Sequence, residues 1–572
     1  MLIPQALEGV AAVGLLYASV KRWFGAGAGL AASAVFALTP VAALMFRFNN
    51  PDALLVLMLV AGAYCLTRAI ERAGTRWMLA AGTMIGIAFL AKMMQAFIVL
   101  PGFALTYLVA APTSLRRRLG QLAAGGVAVL VSAGWWVAIV ALWPTGSRPM
   151  IDGSQTNSIL NLITGYNGLG RIFGNGGGAG GGGGSMFSGA TGPLRLFDEL
   201  MGGQASWLLP AASIALLGGI WATRRSPRTD RTRAALLLWG SWLLVTAAVF
   251  SFSQGVIHTY YTVALAPAIG ALVAIGAAML WRRRESLGAR LLGAAAFAAS
   301  AGWAYALLER TPHWEPWLRP LVLIAGAAAV LGLLAGARLG RRVVLASAVL
   351  GVIASMAGPL AYAAETIATP HTGSIPSAGP VLAQSGPGGG GAQKGFGAGA
   401  IPGAGSGPGS SSGSGARPAP PTGSSSGFPG APGGSGFAGR AAGAGAGAGT
   451  GGGGSVSTSG ALVKALRSDA SHYRWVAATS GSQSAAALEL SSGEAVMAIG
   501  GFNGQGGNIS LAAFESYVAK GEIHYYIGSA GRSGGGPGGG GTSSAIATWV
   551  ASHYKAETIG GQTVYELTSP TG

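Results

Sequence analysis

The sequence predicts a polytopic α-helical membrane protein that carries a small extracellular α/β domain after a Gly/Ser/Pro-rich linker. Three observations lead there. The 572-residue chain is 50% hydrophobic and only 9% charged, against about 25% charged residues in an average soluble protein. Its apolar residues gather in runs of about 20, the length that crosses a bilayer core. Its arginines crowd into alternate connections between those runs, the asymmetry that orients inserted helices.

The runs give about twelve spans, near 4–20, 26–46, 52–70, 77–91, 95–111, 121–143, 207–223, 233–250, 260–281, 288–307, 317–336 and 343–363. Every second connection is basic: Lys21-Arg22, then Arg68, Arg72 and Arg76, then Arg116 to Arg118, with like clusters at 224–233, 282–284 and 338–342. By the positive-inside rule these face the cytoplasm. The net charge of +18 therefore describes membrane topology and not a nucleic-acid surface, because the cations sit between spans. The single cysteine, Cys65, lies within an apolar run and excludes a disulfide framework or a Cys-based zinc site. This orientation places Met1 outside. An even number of passes with both ends outside leads us to expect an upstream span and external loop before this sequence.

The spans make a membrane domain over residues 1–365, with a long external loop at 144–206. Residues 366–455 are dominated by Gly, Ser, Pro and Ala, a composition that cannot bury enough surface to fold. A similar insert, GNGGGAGGGGGSM, interrupts the external loop at 174–186. Residues 456–572 regain pattern. RWVAATS (474–480), AVMAIGG (495–501) and EIHYYIG (522–528) read as short strands, and SLAAFESYVAKG (510–521) and SSAIATWVASHY (543–554) as helices between them, hence a small α/β domain. GGFNGQGG (500–507) lacks the Gly-Lys-Ser/Thr ending of a phosphate loop and reads as a turn.

Candidate functional residues lie at the external face. In ALMFRFNNPDALLVLMLV (43–60), Asn-Pro-Asp suits a helix start, with Pro51 in the first turn and Asp52 favourable to the N-terminal dipole. A turn explains Arg47 poorly, since a cation at a non-cytoplasmic face runs against the charge bias and ionisable groups at such depth usually mark function. Arg47 and Asp52 are close enough in sequence to pair. Lys92, in FLAKMMQAF, falls at an outer turn, where the plain alternative is a snorkelling lysine. In FSFSQGVIHTYYTVALAP (250–267), Gln254, His258, Tyr260 and Tyr261 gather at another outer face. An aromatic belt accounts for the tyrosines alone. The loop segment 152–173 is rich in aromatic and amide groups that suit a sugar.

The run RFNNPDALLVLMLVAGAYCLTRAIE, the later GIAFLAKMMQAFIVLPGFALTYL and TYYTVALAPAIGAL together resemble bacterial members of glycosyltransferase family 39. That is the protein O-mannosyltransferase and aminoarabinose-transferase superfamily of GT-C fold, and the likeness covers about residues 2–365. The C-terminal domain resembles the extracellular domain of mannosyltransferase-type members. The resemblance implies a multi-pass plasma-membrane enzyme that takes a sugar, mannose or a similar hexose, from a polyprenyl-phosphate donor. The acceptor would be a cell-envelope protein, lipid or polysaccharide at the external face. It implies Asp52 and Arg47 as catalytic residues, and Lys92, His258, Tyr260, Tyr261 and Gln254 as ligands of the donor phosphate. In the family the acidic base sits in an Asp-Glu pair of the first external loop. This sequence has no such loop, so the expectation is that the principal acidic residue lies upstream.

A transporter or flippase of envelope precursors would also suit twelve spans, but it calls for charged or broken helices near the bilayer midplane. A module that merely anchors the external domain would not need so many. No cofactor is called for. The six histidines show no metal-ligand spacing, which leaves a divalent ion at the donor phosphate open.

Overall fold

The computed structural model describes residues 2–154, 156–174, 188–255, 257–371, 375–380, 458–501, 507–528 and 542–570. The glycine insert and most of the linker expected at 366–455 lie outside these residues, as do 502–506 of the GGFNGQGG turn.

Among the described residues, ten helices are long and apolar enough to span a membrane. One of them, Thr75–Ala110, is 36 residues long and is itself a hairpin. Helix α5 (Thr75–Lys92) ends at Met93, whose φ of 43° and ψ of −129° break the helical path, and a 3-10 turn (Met93–Val99) leads back into α6 (Leu100–Ala110). The reversal is fixed at the far end. The Tyr107 hydroxyl donates to Gln121 Oε1 at 2.6 Å, while Gln121 Nε2 donates to the carbonyl of Ala73 at 2.6 Å and to Thr75 Oγ1 at 3.0 Å. The start of α5 and the end of α6 therefore lie together. Counting that hairpin as two passes and the shorter pair α2 (Ala26–Ala37) and α3 (Pro40–Met45) as one more, the described helices read as twelve passes, roughly in line with the sequence.

Small residues let these helices close on one another, since lipid offers no hydrophobic drive for helix association and packing must supply it. A Cβ on Gly82 would collide with the Gly125 carbonyl, and one on Gly86 with Ser132 of α7 (Leu115–Leu142). Thus α5 and α7 meet backbone to backbone. Ser33 Oγ donates to the Val13 carbonyl at 3.0 Å, closing α1 (Ile3–Phe24) onto α2.

The bundle has two chemically different ends. One holds the basic connections, where Arg22 bonds Glu71 and Arg228 donates to the Ala111 carbonyl at 2.8 Å. The other holds the helix start Asp52, the break at Lys92 and the residues of the long loop. The loop is structured where described. Arg195 is 2% exposed, donating to the carbonyls of Ser188, Phe250 and Ser253. Satisfying these three carbonyls and the Ser188 hydroxyl with one guanidinium ties the loop to the end of helix Arg231–Phe252. Beyond the last span, Arg341–Ala368, the chain folds back on this end. Ala378 N donates to Gln204 Oε1 at 3.0 Å and Gly379 N to Thr366 Oγ1 at 2.8 Å. The tether read from 366 onward thus begins after a docked segment.

The C-terminal domain is a five-stranded sheet of order β2-β1-β3-β5-β4. Strands β1 (Trp475–Ser480), β2 (Val496–Ile499) and β3 (Ile523–Gly528) are parallel, and β4 (Tyr554–Ile559) and β5 (Gln562–Pro570) form an antiparallel hairpin beside β3. The three predicted strands and two predicted helices, Leu511–Ala519 and Thr542–His553, are present. The hairpin, with Gly560 and Gly561 at φ of 58° and 82°, and the helices Gly460–Arg467 and Ser482–Ser492 are additional. Helices cover both faces: Leu462, Leu466 and Leu488 pack on one, Phe514, Ile546 and Val550 on the other.

Candidate active site

The site grows from the start of α4 (Asp52–Arg72). Asn50 Oδ1 accepts from Asp52 N at 2.9 Å, satisfying one of the amides that a helix start leaves without an intrahelical partner. The Asp52 side chain is fully buried. Its Oδ2 lies 2.5 Å from Lys92 Nζ, and its Oδ1 has no partner among the described residues.

Lys92 is the last residue of α5, just before Met93. A methionine at φ 43° is strained, and such strain clusters where structure holds a side chain in a set position. The Lys92 ammonium lies 3.6 Å from the centroid of the Tyr261 ring and 5.5 Å from that of Tyr260. A cation over an aromatic face is attracted by its quadrupole, more so when desolvated. His258 stacks on Tyr260 at 5.3 Å and meets Tyr261 edge-on at 5.2 Å. Burial first, and then the charges of Arg171 and Lys92, push the His258 imidazole down to about 3. It is therefore neutral at ordinary pH and offers a hydrogen bond, not a charge.

Arg171 completes the cluster. It sits in the short helix Gly170–Phe173 of the long loop. Its Nη1 donates to the Tyr261 hydroxyl at 2.9 Å, its Nε to the Tyr166 carbonyl at 3.0 Å and its Nη2 to Asn167 Oδ1 at 3.3 Å. Backbone pairing holds this helix in place, with Gln254 N donating to the Ile172 carbonyl at 3.0 Å and Gly255 N to that of Arg171 at 2.8 Å.

The structure thus joins Asp52, Lys92, His258, Tyr260 and Tyr261, and leaves out two predicted residues. Gln254 is exposed and positions the loop through its backbone. Arg47 does not pair with Asp52. Its Nη1 donates to the carbonyl of Ile367 at 3.0 Å, in the last turn of the final span, where the helix dipole favours a cation. The partner of Asp52 is Lys92, so the Arg47–Asp52 pairing expected from their closeness in sequence is corrected. The reason is local: the chain turns through Phe46 to Pro51 and directs the two side chains apart. Arg171 was missed because it stood as one scattered cation in the loop. The signal available was its setting, Tyr-Asn-Gly-Leu-Gly-Arg, with Arg171 four residues after the amide of an aromatic-amide pair. Gln95, in the turn after Lys92, also has a buried Nε2 without a partner among the described residues.

The cluster carries one carboxylate against two fixed cations, hence an excess positive charge at the end opposite the basic connections. Among the described residues no group of three or more His, Cys, Asp or Glu is arranged to hold a metal ion.

Parts of the chain are similar to known proteins. Residues 1–137 match the family model described as "Dolichyl-phosphate-mannose-protein mannosyltransferase", which contains Asp52 and Lys92. Residues 462–553 match "Putative mannosyltransferase YkcB-like, C-terminal". "Putative mannosyltransferase YycA" of Bacillus subtilis is 36% identical over 48% of this chain and 52% of its own length. "Putative mannosyltransferase YkcB" of the same organism is 27% identical over 97% of this chain and 80% of its own length. Among solved structures, ArnT of Cupriavidus metallidurans bound to undecaprenyl phosphate is 22% identical, over 63% of this chain and 61% of that one, with a TM-score of 0.40. Two segments of the chain thus match mannosyltransferase family models, and the chain is similar in sequence to two putative mannosyltransferases.

Proposed function

We propose that this protein transfers a hexose, mannose or a close relative, from a polyprenyl-phosphate donor to a cell-envelope acceptor at the external face of the plasma membrane. The observation that carries the proposal is the Asp52–Lys92–Tyr261–Arg171 cluster, with its excess positive charge at the end away from the basic connections. The match of residues 1–137 to a dolichyl-phosphate-mannose-dependent family supports the donor class. The even number of passes supports a C-terminal domain on the same, external side as the site.

In transfer, an acceptor oxygen bonds to the anomeric carbon as the bond from that carbon to the phosphate oxygen breaks. The acceptor proton goes to a base, and the bonding pair leaves with the lipid monophosphate. The phosphate gains one negative charge in this step. Fixed cations that meet it in a dry site therefore stabilise the transition state more than the bound donor. Lys92 and Arg171 take that role, and the neutral His258 and the tyrosine hydroxyls add hydrogen bonds. Asp52 is a positioning residue: fully buried, it holds the ammonium in place through the 2.5 Å contact.

A carrier would place its charged groups near mid-membrane. The ion pairs among the described membrane residues, Arg22–Glu71, Arg68–Glu71, Lys92–Asp52 and Arg319–Glu309, all stand at helix ends. That favours an enzyme working at one face.

The test is transfer by the full-length protein in membranes, given defined polyprenyl-phosphate hexoses and a cell-envelope extract as acceptor. Labelled sugar should move from lipid to acceptor, and Lys92→Met should abolish most of it. Transport of intact donor across the membrane without bond cleavage would overturn the reading.

A further inference from the structure

At the basic end of the bundle, an open cleft of about 660 Å³ lies between the ends of three helices. Lys21 and Arg22 reach it from α1, Arg72 from α4 and Arg231 from helix Arg231–Phe252, against one carboxylate, Glu71. That carboxylate is fully used. It accepts from Arg22 Nε at 2.7 Å and from Trp23 Nε1 at 3.0 Å, with Arg68 Nε at 3.8 Å. Arg72 and Arg231 have no hydrogen bond or ion pair among the described residues. Arg231 opens its helix, where the positive end of the dipole disfavours a cation. Three separate elements thus converge surplus positive charge on a concave surface, and only an added anion balances it.

The wall of the cleft says what bears the anion. Tyr17 and Lys21 continue a stripe of α1 made of Ile3, Leu7, Val10 and Gly14, spaced at threes and fours and so on one helical face. Ile3, Leu7 and Val10 are 73%, 62% and 71% exposed. From Ile3 to Gly14 the stripe is exposed, and its end, Tyr17 and Lys21, packs on one side against Gly29 of α2. From Val10 to Lys21 the helix rises about 16 Å, close to the half-thickness of a bilayer core of about 30 Å. One leaflet's acyl chain fits along it with its headgroup at the cations.

We propose that this cleft binds the phosphate headgroup of an anionic phospholipid of the leaflet at the basic end, with an acyl chain along the Val10–Tyr17 face of α1. A solvated basic collar would serve topology alone, but it would need neither the concavity nor the apolar stripe that ends in it. Basic pockets between helix ends on the cytoplasmic side suit such headgroups.

The experiment uses the full chain, purified in a neutral detergent, with bound lipid counted by native mass spectrometry. Phosphatidylglycerol should be retained, phosphatidylcholine not, and the retention should weaken with salt. Arg72→Gln combined with Arg231→Gln removes two cations that have no protein partner, so folding is preserved. It should weaken phosphatidylglycerol binding at least about tenfold. Val10→Ser should weaken lipid retention but leave any response of thermal stability to inorganic phosphate unchanged. Equal retention of both lipids, or an unaffected double variant, overturns the site. Stabilisation by inorganic phosphate as strong as that by the lipid, with Val10→Ser inert, overturns the lipid as its source. Hexose transfer in neutral-lipid discs should be the same for the double variant and the parent, so failure here stays distinct from failure of the transferase reading.

Discussion

Helix α4 carries a carboxylate at each end, and the two could hardly be treated more differently. Asp52, at its start, is favoured by the helix dipole, capped by Asn50, wholly buried and paired at 2.5 Å with a lysine under a tyrosine ring. Glu71, at its end, is disfavoured by the same dipole and is held by Arg22 and Trp23 at the edge of an open cleft. One pair has a wholly buried carboxylate and a tyrosine ring over its cation; the other keeps 30% of its arginine exposed and stands beside spare cations. Electrostatic interactions strengthen as water is excluded, so the same chemistry is a catalytic feature at one end and a surface feature at the other.

The largest effect should follow from breaking the Asp52–Lys92 pair. Lys92→Met keeps the apolar stem but leaves Asp52 buried without its cation, a loss on the order of 3–5 kcal/mol. Turnover should fall at least about tenfold, equal to about 1.4 kcal/mol of transition-state stabilisation. Asp52→Asn should also cost at least about tenfold in turnover. The double variant Asp52→Asn with Lys92→Met should regain thermal stability over Lys92→Met alone, without regaining activity. If the double variant is no more stable than the single, the pair is not what holds this end together.

Arg171→Gln comes next. It removes a charge that touches Tyr261 but leaves the Asp52–Lys92 pair intact, so transfer should drop about tenfold with little change in melting temperature. Arg171→Lys should recover only part, because an ammonium cannot make the three directed bonds of the guanidinium fork. Full activity of Arg171→Gln would remove it from the phosphate site.

His258 sharpens the comparison through pH. Its imidazole is held far below its ordinary value by burial and by two cations. Between about pH 6.5 and 3 the unfolded chain therefore binds a proton that the folded one does not, and stability rises with pH across that window. The protein should lose melting temperature as the pH falls below 6.5, and His258→Gln should flatten that slope. Between pH 7 and 9 the variant and the parent should respond alike.

Much of this was legible in the sequence, and the missing parts share a cause. Spans, their hairpin at Lys92 and the basic end follow from hydropathy and charge, which act along the chain. The three parallel strands follow likewise from short apolar runs between turns. The β4–β5 hairpin carried its own signal, Gly560-Gly561 between alternating residues, which suits a two-residue turn. What proximity in sequence could not supply was pairing in space. Arg47 stands five residues from Asp52, yet the partner is Lys92, forty residues on. Arg171 reaches Tyr261 from ninety residues away. Such contacts depend on how helices stack, and that is set by glycines such as Gly82 and Gly86, whose role shows only in the packed bundle.

The smallest effect belongs to Arg47, and it separates proximity in sequence from proximity in space. Its side chain is exposed and donates to the Ile367 carbonyl at 3.0 Å. It caps the last turn of the final span, near the point where the chain folds back to Gln204. A cation at a helix C-terminus contributes about 0.3–1 kcal/mol when exposed, and salt screens it. Arg47→Ala should therefore lower the melting temperature slightly at low salt and not measurably at high salt. Donor binding and turnover should stay near those of the parent, because the Asp52–Lys92–Arg171 cluster closes without it. A tenfold loss of transfer in Arg47→Ala, with the protein still folded, would mean that Arg47 leaves Ile367 to meet the substrate. The charge count of the site would then have to include it.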